Sequence, residues 1–215
     1  MNETMTQLRK SKSFREFFRI LPTAYIENAA FAVLSVVFIL PIIRQICYVV
    51  GYDDGGMMWI STLKALGMVS LVLFLLGFIK SVVCKDYPIR SGKLDFRLFF
   101  VNNRERLLII TMLLYMIIST AVTGWTSHSV EGDAYRREGL LTYCVYVSLF
   151  LCATLIENEK LKKRLFIILS VSAMLLAAVA ITESCGVYIS ERTVPILNNH
   201  PNSIYDKSNH YGYFL

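Results

Sequence analysis

The sequence predicts an all-α fold: a polytopic integral membrane helix bundle with five transmembrane helices, the start of a sixth, and a cytoplasmic N-terminus. Three observations carry that prediction. Hydrophobic residues make up 55% of the 215 and charged residues only 18%, more apolar and less charged than soluble domains of this length. The apolar residues gather in five runs, each reaching the roughly 20 residues of a spanning helix once interfacial ends are counted. The segments between the runs alternate between rich and poor in Lys and Arg.

Residues 1–22 read as a cytoplasmic segment with an interfacial amphipathic helix. Within it Phe14, Phe17, Phe18 and Leu21 fall at helical spacing, with Arg15 and Arg19 off that face. Packing against neighbouring spans is the alternative for this helix. Residues 23–182 read as the five-span bundle. The first run, Asn28 to Ile43, continues past Arg44 to Tyr52. It lacks a small-x-small cleavage site and four more runs follow, so it reads as a retained helix rather than a signal peptide. The second covers Ala65 to Ile79 and reaches back past Lys64 to Met57. The third, Leu107 to Val130, contains no Asp, Glu, Lys or Arg. The fourth and fifth are Gly139 to Ile156 and Leu165 to Thr182. Leu94 to Val101 has the composition of a second interfacial helix. Residues 183–209 read as an extracytoplasmic loop, and 210–215 as the opening of a sixth span.

Counting Lys and Arg from the N-terminal segment through each connector to the C-terminal one gives five, zero, seven, two, four and two. By the positive-inside rule the first, third and fifth segments are cytoplasmic. The net charge of +6 is accounted for by this clustering at the ends of apolar runs, so no nucleic-acid partner is expected. The five cysteines form no C-x-x-C pair and have no His at metal spacing; no metal is expected. No phosphate-binding Gly loop, zinc signature or nucleophile elbow is present, and no soluble cofactor is expected.

Ionisable residues inside a bilayer are costly and are therefore candidate functional groups. Arg44 lies toward the outer end of the first span, after Pro41, and Lys64 about two turns inside the outer end of the second. Each has an alternative as a snorkelling side chain whose stem packs in lipid. Among the outer segments, Arg136 and Arg137 stand at the mouth of the fourth span, flanked by Asp133 and Glu138, and Arg192 lies in the last loop. Arginine offers a fixed fork of donors that suits bidentate phosphate contact. If several of these cations converge, they form an anion site at the outer leaflet fit for a diphosphate. The alternative for the pair is local pairing with the neighbouring acids, worth little when exposed. His128 reads as an exposed polar residue rather than a base.

Two stretches resemble a known family. Tyr135-Arg136-Arg137-Glu138-Gly139-Leu140-Leu141-Thr142-Tyr143 has an Arg-x-Gly-Leu-Leu-x-Tyr character opening a span. Asn209-His210-Tyr211-Gly212-Tyr213-Phe214-Leu215 follows an outer loop and is the more specific signal. Together they look like the O-antigen ligase and polymerase family, over about residues 107–215. The resemblance implies a multi-pass glycosyltransferase of the bacterial plasma (inner) membrane. It would move glycan from an undecaprenyl diphosphate carrier to an acceptor glycan or lipid, outside the cytoplasm and without a metal. Arg136 or Arg137 matches the family's diphosphate-holding arginine, with Arg192 a looser match and Lys64 and Arg44 further candidates. The family's catalytic histidine sits in a large later outer loop, so the base is expected beyond Leu215 and the chain is expected to be the N-terminal portion of a longer protein. His210 belongs to the span-opening motif and is not that base. The competing class is a non-enzymatic membrane protein, a transporter subunit or scaffold.

Overall fold

The computed structural model describes residues 13–50, 52, 57–84, 89–90, 93–94, 103–132 and 139–185. In chain order the elements are α1 (Phe14–Ile20), α2 (Thr23–Val50), α3 (Met57–Cys84), a two-residue antiparallel ladder of β1 (Ile89–Arg90) with β2 (Lys93–Leu94), α4 (Arg104–Thr123), α5 (Ser127–Glu131), α6 (Leu140–Ala153) and α7 (Glu159–Ser184).

Four of these helices are long and apolar enough to cross a membrane: Thr23–Cys47 within α2, Met58–Cys84 within α3, Arg104–Thr123, and Glu159–Thr182 within α7. The shortest, α4, has 20 residues, about 30 Å at the rise of an α-helix, which matches a bilayer core. Their large apolar side chains are not folded away. Met68, Tyr115, Val122 and Phe166 are each at least 70% exposed. A surface of this kind is solvated by lipid tails rather than by water. The hydroxyls of Thr62, Thr111, Thr123, Ser148 and Thr182 donate back to carbonyls three or four residues earlier in their own helices. Such internal satisfaction is what hydrocarbon demands of polar groups. The chain is a helical membrane protein.

Two runs fold differently from the sequence prediction. The third does not continue as one helix to Val130. It stops at Thr123, because Gly124 adopts φ +101°, a conformation in which only glycine is unstrained. A new helix, α5, then opens on a capping box: the Thr126 hydroxyl accepts from the Ser129 N–H at 3.1 Å, and the Ser129 hydroxyl accepts from the Thr126 N–H at 3.0 Å. The fourth run gives a helix of only 14 residues, about 21 Å long and shorter than a bilayer core. With α6 counted separately, four rather than five helices have spanning length among the described residues. The predicted interfacial helix at Leu94 to Val101 opens at β2, and its remainder, like the 186–215 stretch that contains the sixth-span start, lies outside the described residues.

The chain divides into two compact units, Met1–Val33 with Lys64–Asn158, and Leu34–Leu63 with Glu159–Leu215. In the first unit α6 is the central element. Leu140, Val145, Val147, Ser148, Leu151 and Cys152 are all buried, which is why its short length is tolerated: it faces protein more than lipid. Phe74 of α3 packs with Val147 and Leu151, and Ile109, Ile110 and Leu113 of α4 close over them. Along α3, Gly67, Ser70, Phe74 and Gly77 follow a heptad spacing and lie on this seam. Small residues there let the two backbones approach. A methyl on Gly67 would stand 2.8 Å from Val145, and Gly77 lies against Leu155.

These contacts fix direction. Gly67 meets Val145 and Gly77 meets Leu155, a separation of 78 residues both times, so α3 and α6 run parallel. Helix α4 runs the other way: Arg106, near its start, bonds Thr154 just past the end of α6, while α5, beyond its end, packs at the start of α6. The first unit therefore has two distinct ends. One gathers the C-terminal ends of α3 and α6 with the start of α4. The other gathers α5 with the start of α6.

In the second unit, Leu176 and Ala180 of α7 pack with Ile42 of α2. Pro41 lies inside α2, where it removes one backbone donor and crowds the preceding turn; spanning helices tolerate this better than soluble ones.

Candidate functional site

At the first end of unit one, two cations cap helices. Lys80 is 9% exposed and makes no ion pair among the described residues. Its ammonium donates to the carbonyl oxygens of Phe18, at 3.2 Å, and of Leu21, which are the last acceptors of α1. Phe18 is 2% exposed, so α1 is docked through a buried ring as well as through its terminus. Of the two readings of this amphipathic segment, the contacts favour packing on a neighbouring helix. Arg106 repeats the device at α6. Its Nε donates to Thr154 Oγ1 and its Nη2 to the Thr154 carbonyl, both at 2.9 Å, while Nη1 donates to Asn103 Oδ1 at 3.2 Å. A cation at a helix C-terminus satisfies orphan carbonyls and complements the helix dipole. Both residues entered the sequence reading only as positive-inside charges. Arg106 carried one further signal: a cation in the first turn of α4 opposes that helix's dipole, which implies an acceptor elsewhere.

At the opposite end, α6 starts at Gly139, and a Cβ there would overlap backbone atoms of Val130, Glu131 and Gly132. Gly132 itself has φ +91° and donates its N–H to the His128 carbonyl at 3.0 Å. The glycine of the Arg-x-Gly-Leu-Leu-x-Tyr pattern thus has a physical reason: nothing larger fits between the start of α6 and the end of α5. Residues 133–138, with Arg136 and Arg137, lie outside the described residues, as does Arg192. The described residues on either side of 133–138 meet backbone to backbone at Gly132 and Gly139. His128 is exposed on α5, as expected, and Trp125 is 62% exposed beside it.

The two remaining candidates are described. Lys64 is half-buried on α3 in the first unit, with no hydrogen bond or ion pair among the described residues. Arg44 is half-buried on α2 in the second unit. Its Nε is fully covered and has no hydrogen-bond partner. The same holds for the indole Nε1 of Trp59, a residue 8% exposed in the same unit. Leaving a covered donor without an acceptor costs about 1–3 kcal/mol, more when the group is charged. Trp59 did not enter the sequence reading.

Among the described residues no three His, Cys, Asp or Glu side chains gather as a metal set. All five cysteines are free thiols. No protein-family model, no curated protein and no solved structure matches the chain.

Proposed function

We propose that the chain is part of a bacterial envelope glycosyltransferase of the O-antigen ligase and polymerase type, which acts on a lipid-linked diphosphate glycan at the extracytoplasmic face of the plasma membrane. The N-terminus is cytoplasmic in this reading, and the chain crosses the bilayer five times. The observation that carries the orientation is the two-ended first unit. Lys80, Arg106 and the docked α1 share the end that the charge count assigns to the cytoplasm. The α5–α6 junction, bordering the Arg136–Arg137 segment, lies at the other. Parallel packing of α3 and α6 supports α6 as a crossing despite its length, because the second and fourth spans of such a chain must run the same way.

The chemistry follows from the resemblance. An acceptor hydroxyl attacks the anomeric carbon of the carried glycan, a base removes the hydroxyl proton, and negative charge grows on the departing diphosphate. Arg136 and Arg137 are positioned in sequence to stabilise that charge. The non-enzymatic alternative, a transporter subunit, needs hydroxyls lining a polar path. The hydroxyls of Thr62, Thr111, Thr123, Ser148 and Thr182 donate within their own helices, which leaves them to such a path only as acceptors.

In an intact homologue that carries the later outer loop and its histidine, replacing the arginines that match Arg136 and Arg137 by Ala is expected to leave insertion normal and to lower transfer from a prenyl-diphosphate-linked glycan by about a hundredfold or more, as when preorganised donors to a developing charge are removed. Membranes carrying wild-type or variant chain, assayed for polymer length, read this directly. Polymer of normal length in the variant would sink the role assigned to the two arginines.

A further inference from the structure

We propose that the first two turns of α7 bind the headgroup of an anionic phospholipid in the cytoplasmic leaflet through Lys160, Lys163 and Arg164. Helix α7 opens with Glu-Lys-Leu-Lys-Lys-Arg, four cations in five residues, and all four cationic side chains are exposed. Glu159 holds one of them, since its carboxylate pairs with Lys162 at 2.7 Å. The other three stand at i, i+3 and i+4, on one side of the helix. Lys163 and Arg164 make no hydrogen bond or ion pair among the described residues. Like charges at this spacing repel, and cations near a helix N-terminus oppose its dipole. Both effects act at one place on α7, and an anion laid across the three side chains offsets them.

The same side of α7 continues into the bilayer as Ile167, Val171 and Met174, which are 60%, 43% and 64% exposed. The protein-facing side is opposite. There Ser172, Leu176 and Ala180, spaced four apart, are buried, and the last two pack with Ile42. The cations therefore sit directly above an open apolar strip, where the uncharged run from Leu165 to Thr182 begins. That arrangement fits one phospholipid. Its phosphate oxygens accept from the ammonium and guanidinium groups, and an acyl chain lies along the strip. Basic clusters of this size on the cytoplasmic side of a spanning helix attract anionic lipid. The positive-inside rule needs only the number of these cations and their side of the membrane. Their placement on one face, in line with the strip, is what a bound lipid explains.

The inference rests on the membrane reading but not on glycan transfer. The Arg136–Arg137 experiment reads turnover and this one reads lipid selectivity, so either can fail alone. The chain has two tryptophans, Trp59 and Trp125. With both replaced by Phe, a Val171→Trp change places a single indole on the strip. The full chain is reconstituted in phosphatidylcholine vesicles that contain brominated-acyl phosphatidylglycerol or, separately, brominated-acyl phosphatidylcholine. Bromine quenches an adjacent indole. Stronger quenching by phosphatidylglycerol is expected, equivalent to a preference of about tenfold or more, since each cation near the surface contributes roughly fivefold. The preference should vanish in Lys160→Gln/Lys163→Gln/Arg164→Gln. It should persist in Glu159→Gln/Lys162→Gln, which removes the ion pair and leaves the net charge unaltered. If the triple variant fails to insert, Lys163→Gln alone decides, with an expected loss of about threefold or more. Equal quenching by the two lipids with all cations in place, or a preference that survives their loss, overturns the site.

Discussion

Replacing Gly139 by alanine is expected to be among the most damaging single-methyl changes in the described part of the chain. The added Cβ would overlap three consecutive backbone positions, Val130, Glu131 and Gly132, rather than a side chain that can rotate away. Overpacking costs about 1–3 kcal/mol where side chains can adjust, and rigid backbone places this case at the upper end or beyond. The result expected is a lowered melting temperature in detergent, with α5 released from the start of α6 and faster proteolysis between Gly132 and Gly139. Gly77→Ala serves as the control: there the intruding atom is the tip of Leu155, a flexible side chain. Equal melting temperatures for Gly139→Ala and wild type would show that the α5–α6 closure is not tight.

Arg106→Met is the second change with a large expected effect. Arg106 supplies three hydrogen bonds that join Asn103, the start of α4 and the turn after α6. Its removal leaves the Thr154 carbonyl without the guanidinium at the end of α6. Hydrogen bonds to charged groups contribute about 1.5–3 kcal/mol each, and the partial exposure of this site argues for the lower part of that range. Because bonds made by one guanidinium do not add in full, a destabilisation of about 2–3 kcal/mol is expected, read as a drop in denaturant midpoint. Arg106→Lys keeps the charge but loses the fork and should lie between wild type and Met. A Thr154→Val change in the Arg106→Met background should add little, because both residues belong to one network. Additive losses would mean that Arg106 acts through something other than the Thr154 hydroxyl.

Much of the helical layout was legible because spanning helices are written in long apolar runs. The runs at Asn28, Ala65 and Leu165 correspond to α2, α3 and α7. Hydropathy alone hid the end of α4. The run to Val130 has no charge, yet Gly124 and the Thr126-x-x-Ser129 capping box are local stop and start signals that outrank composition. It also hid the shortness of α6, whose apolar residues serve a protein core as much as a bilayer. Nothing in the sequence paired Lys80 with α1 or Arg106 with Thr154, because contacts 48 to 62 residues apart leave no periodic trace. Of the candidate site, Arg44 was legible as a cation within an apolar run, with snorkelling as its alternative; the covering of its Nε depends on tertiary packing. Trp59 was not readable, since burial of its N–H depends on tertiary packing.

Sidedness is the claim on which the rest of the account depends, and cysteine accessibility tests it most directly. In a chain freed of its five native cysteines, single cysteines are placed at Ser13, Tyr52, His128 and Glu157, all exposed. Intact cells are treated with a membrane-impermeant maleimide. The account predicts labelling at Tyr52→Cys and His128→Cys, and at Ser13→Cys and Glu157→Cys only after lysis. Labelling of His128→Cys and Glu157→Cys from the same side would show that α6 does not cross, and would contradict the five-span topology together with the outer placement of Arg136 and Arg137.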